Sequence, residues 1–436
     1  MKRPKDKKPA ASAGRVLDDG TIIDLVYEPG AHATHLSIWR QGEVSQEDMV
    51  SLPTGERLVP IAADNALIRH RVVMLPRHPE PYGTEIDLVA EIRGHIHRYV
   101  DLDPTFEAIA AHYVLLSWVY DAFNELPYLR LRGDYGTGKT RALLIIGSLL
   151  YRPFFASGAS TVSPIFHTLE QFRGSLVLDE ADFRFTDEKS DLVKILNNGT
   201  VRGMPVLRTM LNSQREFTPA AFHVFGPKLI ANRTTYDDVA LESRFITEIM
   251  GLRPMRADVP INLPDAARDE AQQLRDKLLM YRFLNRSQIG IDSDVTTSIL
   301  EPRLNQVLAP LLSVIDDAAL REAILQRAAM DQRSARANRG LSIEAHVVEA
   351  IMECMGAEPH RPLPLKSIVS TVNKRFGREY ERTLTSRYIG SVLRSKLCVF
   401  TYKSHGIFVI PPNELGKIVV LARRYGAGGG DDRDLA

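Results

Sequence analysis

Between residues 128 and 250 the chain alternates short apolar runs with stripes of helical period. Tyr128-Leu-Arg-Leu-Arg132 alternates as a strand does, and residues 154–156, 175–178, 222–231 and 246–250 are short and apolar enough to be strands too. The segments between them, residues 140–150, 165–172 and 190–196, repeat their apolar positions at three- and four-residue steps. Short apolar strands separated by helices predict an α/β fold with a parallel sheet covered on both faces. Upstream, Phe106, Ile109, Tyr113, Leu116 and Val119 predict an amphipathic helix over 103–124 that leads into this core. Downstream, residues 264–336 are rich in Ala, Leu, Arg and Glu and read as pure helix, a lid or an inter-domain bundle.

The remaining pattern sets the domain limits. Residues 1–14 carry Lys2, Arg3, Lys5, Lys7 and Lys8 with almost nothing to bury, so a disordered basic tail is expected. Runs at 21–27, 35–39 and 71–75, broken by Gly and Pro, predict a β-rich domain over 15–102. The core is expected at 103–262, the helical lid or linker at 263–340, a further module at 341–424, and a Gly-rich disordered tail at 425–436.

Composition narrows the class. Lys plus Arg total 55 against 54 Asp plus Glu in 436 residues, so any nucleic-acid surface must be a local patch. Cys354 and Cys398 are isolated, which argues against a disulfide framework or a zinc site and fits a reducing cytoplasm. No apolar run reaches the roughly 18 residues of a membrane span, and the N-terminus lacks the apolar stretch of a signal peptide.

The chemistry starts where the first strand ends. Residues 133–140 read Gly-Asp-Tyr-Gly-Thr-Gly-Lys-Thr, the full Gly-x-x-x-x-Gly-Lys-Thr pattern between a strand and a helix. Its backbone N–H groups form a nest for phosphate oxygens at a helix N-terminus. Gly133, Asp134, Tyr135, Gly136, Thr137, Gly138, Lys139, Thr140 and Arg141 are the expected contacts to ATP, with Lys139 on the β and γ phosphates and the Thr140 hydroxyl on Mg²⁺. Forty residues after Lys139, the strand at 176–178 ends in Asp179-Glu180. Asp179 is placed to hold Mg²⁺ and Glu180 to orient or deprotonate the attacking water, although Asp-Glu-Ala-Asp also reads as a helix cap. Residues 226–232 form a strand ending in Asn232, whose amide can hold the water beside the γ-phosphate or simply end the strand. In Leu241-Glu-Ser-Arg-Phe245, Arg244 can be presented to a neighbouring subunit's γ-phosphate or pair with Glu242 or Glu248.

This order of motifs resembles the AAA+ ATPases. Ser243-Arg244-Phe245 resembles the arginine-finger motif of minichromosome maintenance helicases. Gly226-Pro-Lys-Leu-Ile-Ala-Asn and Ala240-Leu-Glu-Ser-Arg-Phe resemble the ATPase core of replication-initiator helicases of bacterial mobile elements. The resemblance implies that Asn232 is a sensor 1 residue, Arg244 the finger, and Arg303 a sensor 2 arginine in the lid, with Arg275, Arg282 and Arg286 as competitors for that role. It also implies a hexameric ring and a pore-facing hairpin between Asp179 and Asn232, where Arg202 and Arg208 would track a DNA backbone unless that interval is only a solvated loop.

Residues 361–410 contain ten Lys or Arg and two acids, the local patch that the global charge conceals. Two helical stripes followed by a hairpin at 399–410 resemble a winged helix. Arg387, Ser391 and Arg394 then share the outer face of its second helix, and Lys403 sits on the wing, where they are placed to meet DNA, with protein docking as the alternative. The whole chain therefore reads as an ATP-hydrolysing motor on DNA, a ring-forming helicase or replication initiator. A DNA-bound ATP switch that recruits a partner without unwinding, such as a transposition regulator or defence ATPase, is the alternative.

Overall fold

A computed structural model of the chain describes residues 8–181, 187–211, 216–236, 238–340, 342–356, 361–380 and 382–426; of the tails expected at 1–14 and 425–436, residues 1–7 and 427–436 lie outside the described residues, while Ala10–Ser12 forms a strand parallel to Arg57–Pro60 instead of part of a disordered tail. The chain divides into two compact units, Met1–Ile324 and Leu325–Ala436. In the first, a five-stranded sheet has the order Phe245–Ile249, Tyr128–Arg132, Lys228–Asn232, Leu176–Asp179, Phe154–Ser157. Every neighbouring pair is parallel. All five carboxyl ends therefore meet at one edge and all five amino ends at the other. The middle of the sheet is dry: Leu129, Leu131, Leu229 and Ile230 have no exposure. Arg130 is tolerated there because Glu242 receives both its terminal nitrogens, at 2.5 and 2.7 Å, and Phe245 lies under its guanidinium.

The expected strand at 222–231 is instead two strands. Phe217–Phe222 pairs antiparallel with Val206–Leu211 as a hairpin, and the sheet strand begins only at Lys228. Gly226-Pro227 separates them, because proline has no N–H to give the ladder. The helix expected over 103–124 runs Pro104–Val119, opened by Asp103, whose carboxylate accepts from the N–H groups of Thr105 and Phe106. It is not amphipathic, since every residue from Phe106 to Val119 is buried. Its polar groups turn inward to backbone: His112 Nδ1 meets Ala108 O and the Ser117 hydroxyl donates to Val114 O. Residues 264–336 are not one helical run. Helices Ala266–Asn285, Pro302–Leu312 and Ala318–Gly340 are separated by a stretch containing Gly290, and the second restarts with Pro302 at its first turn.

Residues 15–102 read from the sequence as a strand-rich domain, and strands Gly14–Val16, Ile22–Glu28, Ala33–Arg40 and Glu43–Glu47 do form an antiparallel sheet. That sheet does not close a core of its own. Ile23, Leu25, Leu36 and Ile38 belong to the same apolar cluster as Phe154, Leu176 and Leu178 of the parallel sheet. The region also contains a helix, Glu85–Tyr99, entered through a capping box between Thr84 and Asp87. The run at 71–75 contributes a single bridge, Val73 against Phe154.

Asp24 locks the small sheet to the core. Fully buried, it accepts from Arg152 Nη2 at 2.6 Å, Arg282 Nε at 2.9 Å and the Tyr151 hydroxyl at 3.0 Å. Arg282 continues to Asp121 at 2.8 Å, which Arg286 also holds. Burial pushes the Asp121 carboxyl up, but Arg282 and Arg286 outweigh it and hold it down at about 2. Asp121 thus adds stability above its ordinary value near 4 and loses it as pH falls through about 2.

In the second unit, helix Ile343–Met355, strand Leu363–Pro364, helices Leu365–Phe376 and Ser386–Ser395, strands Tyr402–Ser404 and Ile407–Ile410, and helix Leu415–Tyr425 follow in that order. The strands form a three-stranded antiparallel sheet with Ile407–Ile410 in the middle. Val347, Ile351, Ile368, Val372, Ile389 and Leu393 make the core.

Removing one member of a buried ion network strands its partners. Asp24→Ala should therefore cost about 3–5 kcal/mol in urea unfolding of the first unit. A loss below about 1 kcal/mol, the range of exposed ion pairs, would show that Arg152 and Arg282 find other partners.

Candidate active site

At the carboxyl edge of the sheet the chain leaves Arg132 into the glycine-rich loop and enters helix Lys139–Gly147. Two constraints require glycine. Gly138 caps the helix with φ +86°, and a Cβ on Gly133 would stand 2.7 Å from Met250 O. The loop, the ends of strands Leu176–Asp179 and Lys228–Asn232, and residues 248–261 enclose a cleft of about 780 Å³. This is the size and position at which ligands bind open α/β sheets.

Lys139 Nζ donates to the carbonyls of Gly133 at 2.8 Å and Asp134 at 2.6 Å, so the ammonium lies folded against the loop. The Thr137 hydroxyl donates to Asp134 O, and the Asp134 carboxylate accepts from Tyr135 N–H. Thr140 Oγ1 donates to Asp179 Oδ2 at 2.7 Å, which joins two residues 39 apart in sequence at one point. A hydroxyl and a carboxylate side by side are hard oxygen ligands of the kind Mg²⁺ takes, together with water and phosphate. Glu180 is exposed and lines the cleft, with its backbone at φ +53° and its N–H donating to Asp179 Oδ1. A left-handed glutamate costs about 1 kcal/mol or more, and here it turns the chain sharply as the strand ends.

Asn232 is 1% exposed and lines the cleft, yet neither its Oδ1 nor its Nδ2 has a hydrogen-bond partner among the described residues. Leaving a buried polar atom unmatched costs about 1–3 kcal/mol, a penalty that a ligand or an ordered water in the cleft would relieve. The sheet thus brings together Gly136, Gly138, Lys139, Thr140, Asp179, Glu180 and Asn232, all expected at one site. Arg141 also lines the cleft, but its guanidinium donates to the carbonyls of Pro260 and Ile261 and so holds the 260–261 segment against the loop helix.

Sequence reading missed the far wall of the cleft. Val100, Met250, Leu252, Met255, Val259 and Ile261 make it apolar, with Leu252 and Ile261 about four-fifths exposed, a surface suited to a nucleobase. It also missed Arg233, whose guanidinium stacks 3.6 Å from the centre of the Tyr135 ring. The available signal was a basic residue immediately after Asn232 at a strand's carboxyl end.

Arg244 lies elsewhere. It precedes strand Phe245–Ile249, whose first residue is in register with Tyr128, and the Tyr128 N–H donates to its carbonyl. That is the amino edge of the sheet, five residues or about 16 Å from the glycine-rich loop and beyond the reach of its own cleft. Its guanidinium donates to Asn197 Oδ1, and burial, then the charge of Arg303, pulls its pKa below the usual guanidinium value. Arg303 was expected in the lid as a sensor 2 arginine. It is exposed, donates to Ala240 O at 3.3 Å and sits with Arg244, away from the cleft of its own chain. Its competitors are not in the cleft either: Arg275 donates to Ser148 O, while Arg282 and Arg286 hold Asp121.

The predicted DNA residues also divide. Arg202 is not on the hairpin but in the turn before it, donating to Asp121 O. Arg208 is on the hairpin, paired with Asp191 at 2.7 Å and lying over Phe166, and the hairpin tip at 212–215 is outside the described residues. Arg387, Ser391 and Arg394 are exposed on one face of helix Ser386–Ser395, opposite the buried Ile389, Val392 and Leu393. Lys403 is exposed on the adjacent hairpin, directly across from Phe408.

The fold and site define a mixed α/β protein with a five-stranded parallel sheet and a phosphate-type loop at its carboxyl edge. No protein-family model matches the chain, and no curated protein matches it. Among solved structures it is similar to apo forms of the NrS-1 C-terminal region, over 89% of this chain and 95–96% of those chains, at 10–12% identity and TM-scores of 0.38–0.40. It is similar also to an inhibitor-bound JCV helicase, over 63% of this chain and 66% of that one, at 16% identity and a TM-score of 0.23. Likenesses this distant carry no functional assignment, which rests on the geometry above.

Lys139→Ala removes the ammonium folded against the loop, the cation expected to meet phosphate. A fluorescent ATP analogue should bind at least about 100-fold more weakly to it, by titration, whereas retained affinity would remove the loop from nucleotide binding.

Proposed function

We propose that the chain is an ATP-hydrolysing AAA+ motor that acts on DNA, a ring-forming helicase or replication initiator of a mobile genetic element. The observation that carries this reading is the Thr140–Asp179 contact at the mouth of the glycine-rich loop, beside the unmatched Asn232 amide. The donor set fits a magnesium nucleotide. Loop N–H groups and Lys139 would hold the phosphates, Thr140 and Asp179 the Mg²⁺, and the apolar wall at 250–261 the base. Bound Mg²⁺ supplies charge neutralisation at the β and γ phosphates. Glu180 orients water and takes its proton; the Asn232 amide holds that water in line.

The position of Arg244 at the opposite sheet edge supports a ring. A guanidinium that cannot reach its own cleft is useful to catalysis only in a neighbour's, and a head-to-tail arrangement that closes makes every cleft complete. Arg303, beside it, would enter the same neighbouring site rather than its own. Hexameric closure is the ring the resemblance implies. The helix–strand–helix–helix–hairpin order of the second unit supports a winged helix, and the exposed Arg387, Ser391, Arg394 and Lys403 would be its DNA face.

Glu180→Gln should bind ATP normally and hydrolyse it at least about 100-fold more slowly in a phosphate-release assay. Near-normal turnover would take Glu180 out of the reaction. Arg244→Ala should bind ATP and lose hydrolysis, and mixing it with Lys139→Ala chains should restore part of the activity. Of the two kinds of hybrid interface, the one in which the Arg244→Ala chain supplies the cleft and the Lys139→Ala chain the arginine is then intact, so absence of any recovery would place Arg244 outside a shared site. Displacement of a labelled strand from a forked duplex distinguishes a motor from a DNA-bound switch, which would hydrolyse ATP without displacing it.

A further inference from the structure

A second cavity lies at the amino edge of the parallel sheet, on the side away from the glycine-rich loop. Its walls come from the residues leading into the strands: Tyr120 and Asp121 ahead of Tyr128–Arg132, Arg152 ahead of Phe154–Ser157, Arg173 ahead of Leu176–Asp179, and Phe225 ahead of Lys228–Asn232. It has a volume of about 350 Å³. Arg15, Arg152, Arg173, Arg202 and Arg282 all line it, and the only carboxylate among the lining residues is Asp121.

The five arginines fall into two groups. Arg152 and Arg282 are buried and committed to Asp24 and Asp121, so they form the floor and hold the fold. Arg15, Arg173 and Arg202 stand at the rim. Arg15 is paired with Glu56 and Arg173 with Glu170, each at a side chain about two-fifths exposed. Exposed pairs of this kind are worth about 0–1 kcal/mol, so either guanidinium can exchange its carboxylate for another anion at little cost. Arg202 has backbone and ring contacts instead: it donates to Asp121 O and lies 5.4 Å from the centre of the Phe225 ring, in the turn that ends at Gly203 with φ +86°. Arg173 itself has φ +51°, a conformation an L residue adopts only against strain, and it aims a guanidinium across the cavity mouth toward His223.

We propose that this cavity binds a phosphodiester of a nucleic-acid strand, with Arg202 and Arg173 as the direct phosphate contacts and Arg15 at the entrance. Planar guanidinium forks match phosphate oxygens bidentately, and three rim arginines around a floor whose own arginines are already neutralised by Asp24 and Asp121 suit a backbone rather than a base edge. The assignment rests on the DNA-acting reading. It adds a strand contact on the sheet edge opposite the ATP cleft, in the same layer as Arg244 and Arg303, so a strand held there lies beside the residues that would sense the neighbouring subunit's nucleotide.

The test uses the full chain. Fluorescein-labelled oligo(dT) is titrated by anisotropy over a series of salt concentrations with wild type, Arg173→Ala/Arg202→Ala and Arg173→Lys/Arg202→Lys, with thermal melting as the folding control. The alanine pair should bind about tenfold more weakly and lose about two units of salt slope, and the lysine pair should recover most of both. Should the alanine pair fail to fold, Arg15→Glu, at the exposed rim, should still weaken binding severalfold. Unchanged affinity and slope in these variants, with a wild type that binds DNA, would overturn the cavity alone. A wild type that does not bind oligo(dT) would overturn the DNA-acting reading and the cavity together. If Lys139→Ala protein retains ADP binding that Arg202→Ala removes, the occupant is a free nucleotide and the strand assignment fails.

Discussion

The direction of the strands governs everything this chain can do. Because all five run the same way, the groups that follow them gather at one edge and the groups that precede them gather at the other. Lys139, Thr140, Asp179, Glu180 and Asn232 come from three separate segments and meet only because the strands at 128–132, 176–179 and 228–232 end side by side. The same rule sends Arg244 to the far edge, where it cannot serve the cleft of its own chain. A proposal of shared sites between subunits thus follows from strand polarity and not from the arginine's chemistry alone.

Polarity would be worthless if the sheet could shift, and the buried charges around Asp24 prevent that. They tie the N-terminal sheet, the turn before strand Phe154–Ser157 and helix Ala266–Asn285 to one another through Arg152 and Arg282. The floor of the cationic cavity is made from these same two arginines. One charge-paired network therefore fixes the fold and floors the cavity, while Arg15, Arg173 and Arg202 at the rim carry its positive charge.

Local chemistry was readable along the chain and spatial allocation was not. The glycine-rich loop, the Asp179-Glu180 turn and Asn232 declare themselves because each depends on spacing within a strand–loop–helix unit. The helix Glu85–Tyr99 was equally legible from Thr84, Asp87 and the apolar step Leu88, Ile92, Ile96, and was hidden only by the β-like runs before it. Helix Pro104–Val119 misled for a different reason: its apolar stripe is real, but its other face also carries apolar Val114, Leu115 and Trp118, all fully buried, so the helix is apolar on every side. Arg303 and Arg202 could not be placed by spacing at all, since Arg303 opens helix Pro302–Leu312 and Arg202 lies in a turn, and their positions are set by distant contacts with Ala240 and Asp121.

If each cleft is completed by the next copy, hydrolysis must depend on how many copies meet. ATP turnover per chain, followed across a wide range of protein concentration with sedimentation recorded in parallel, tests this most directly. The account predicts turnover that rises steeply where chains assemble and is nearly absent below that point. Constant turnover per chain down to concentrations at which only monomers sediment would contradict it.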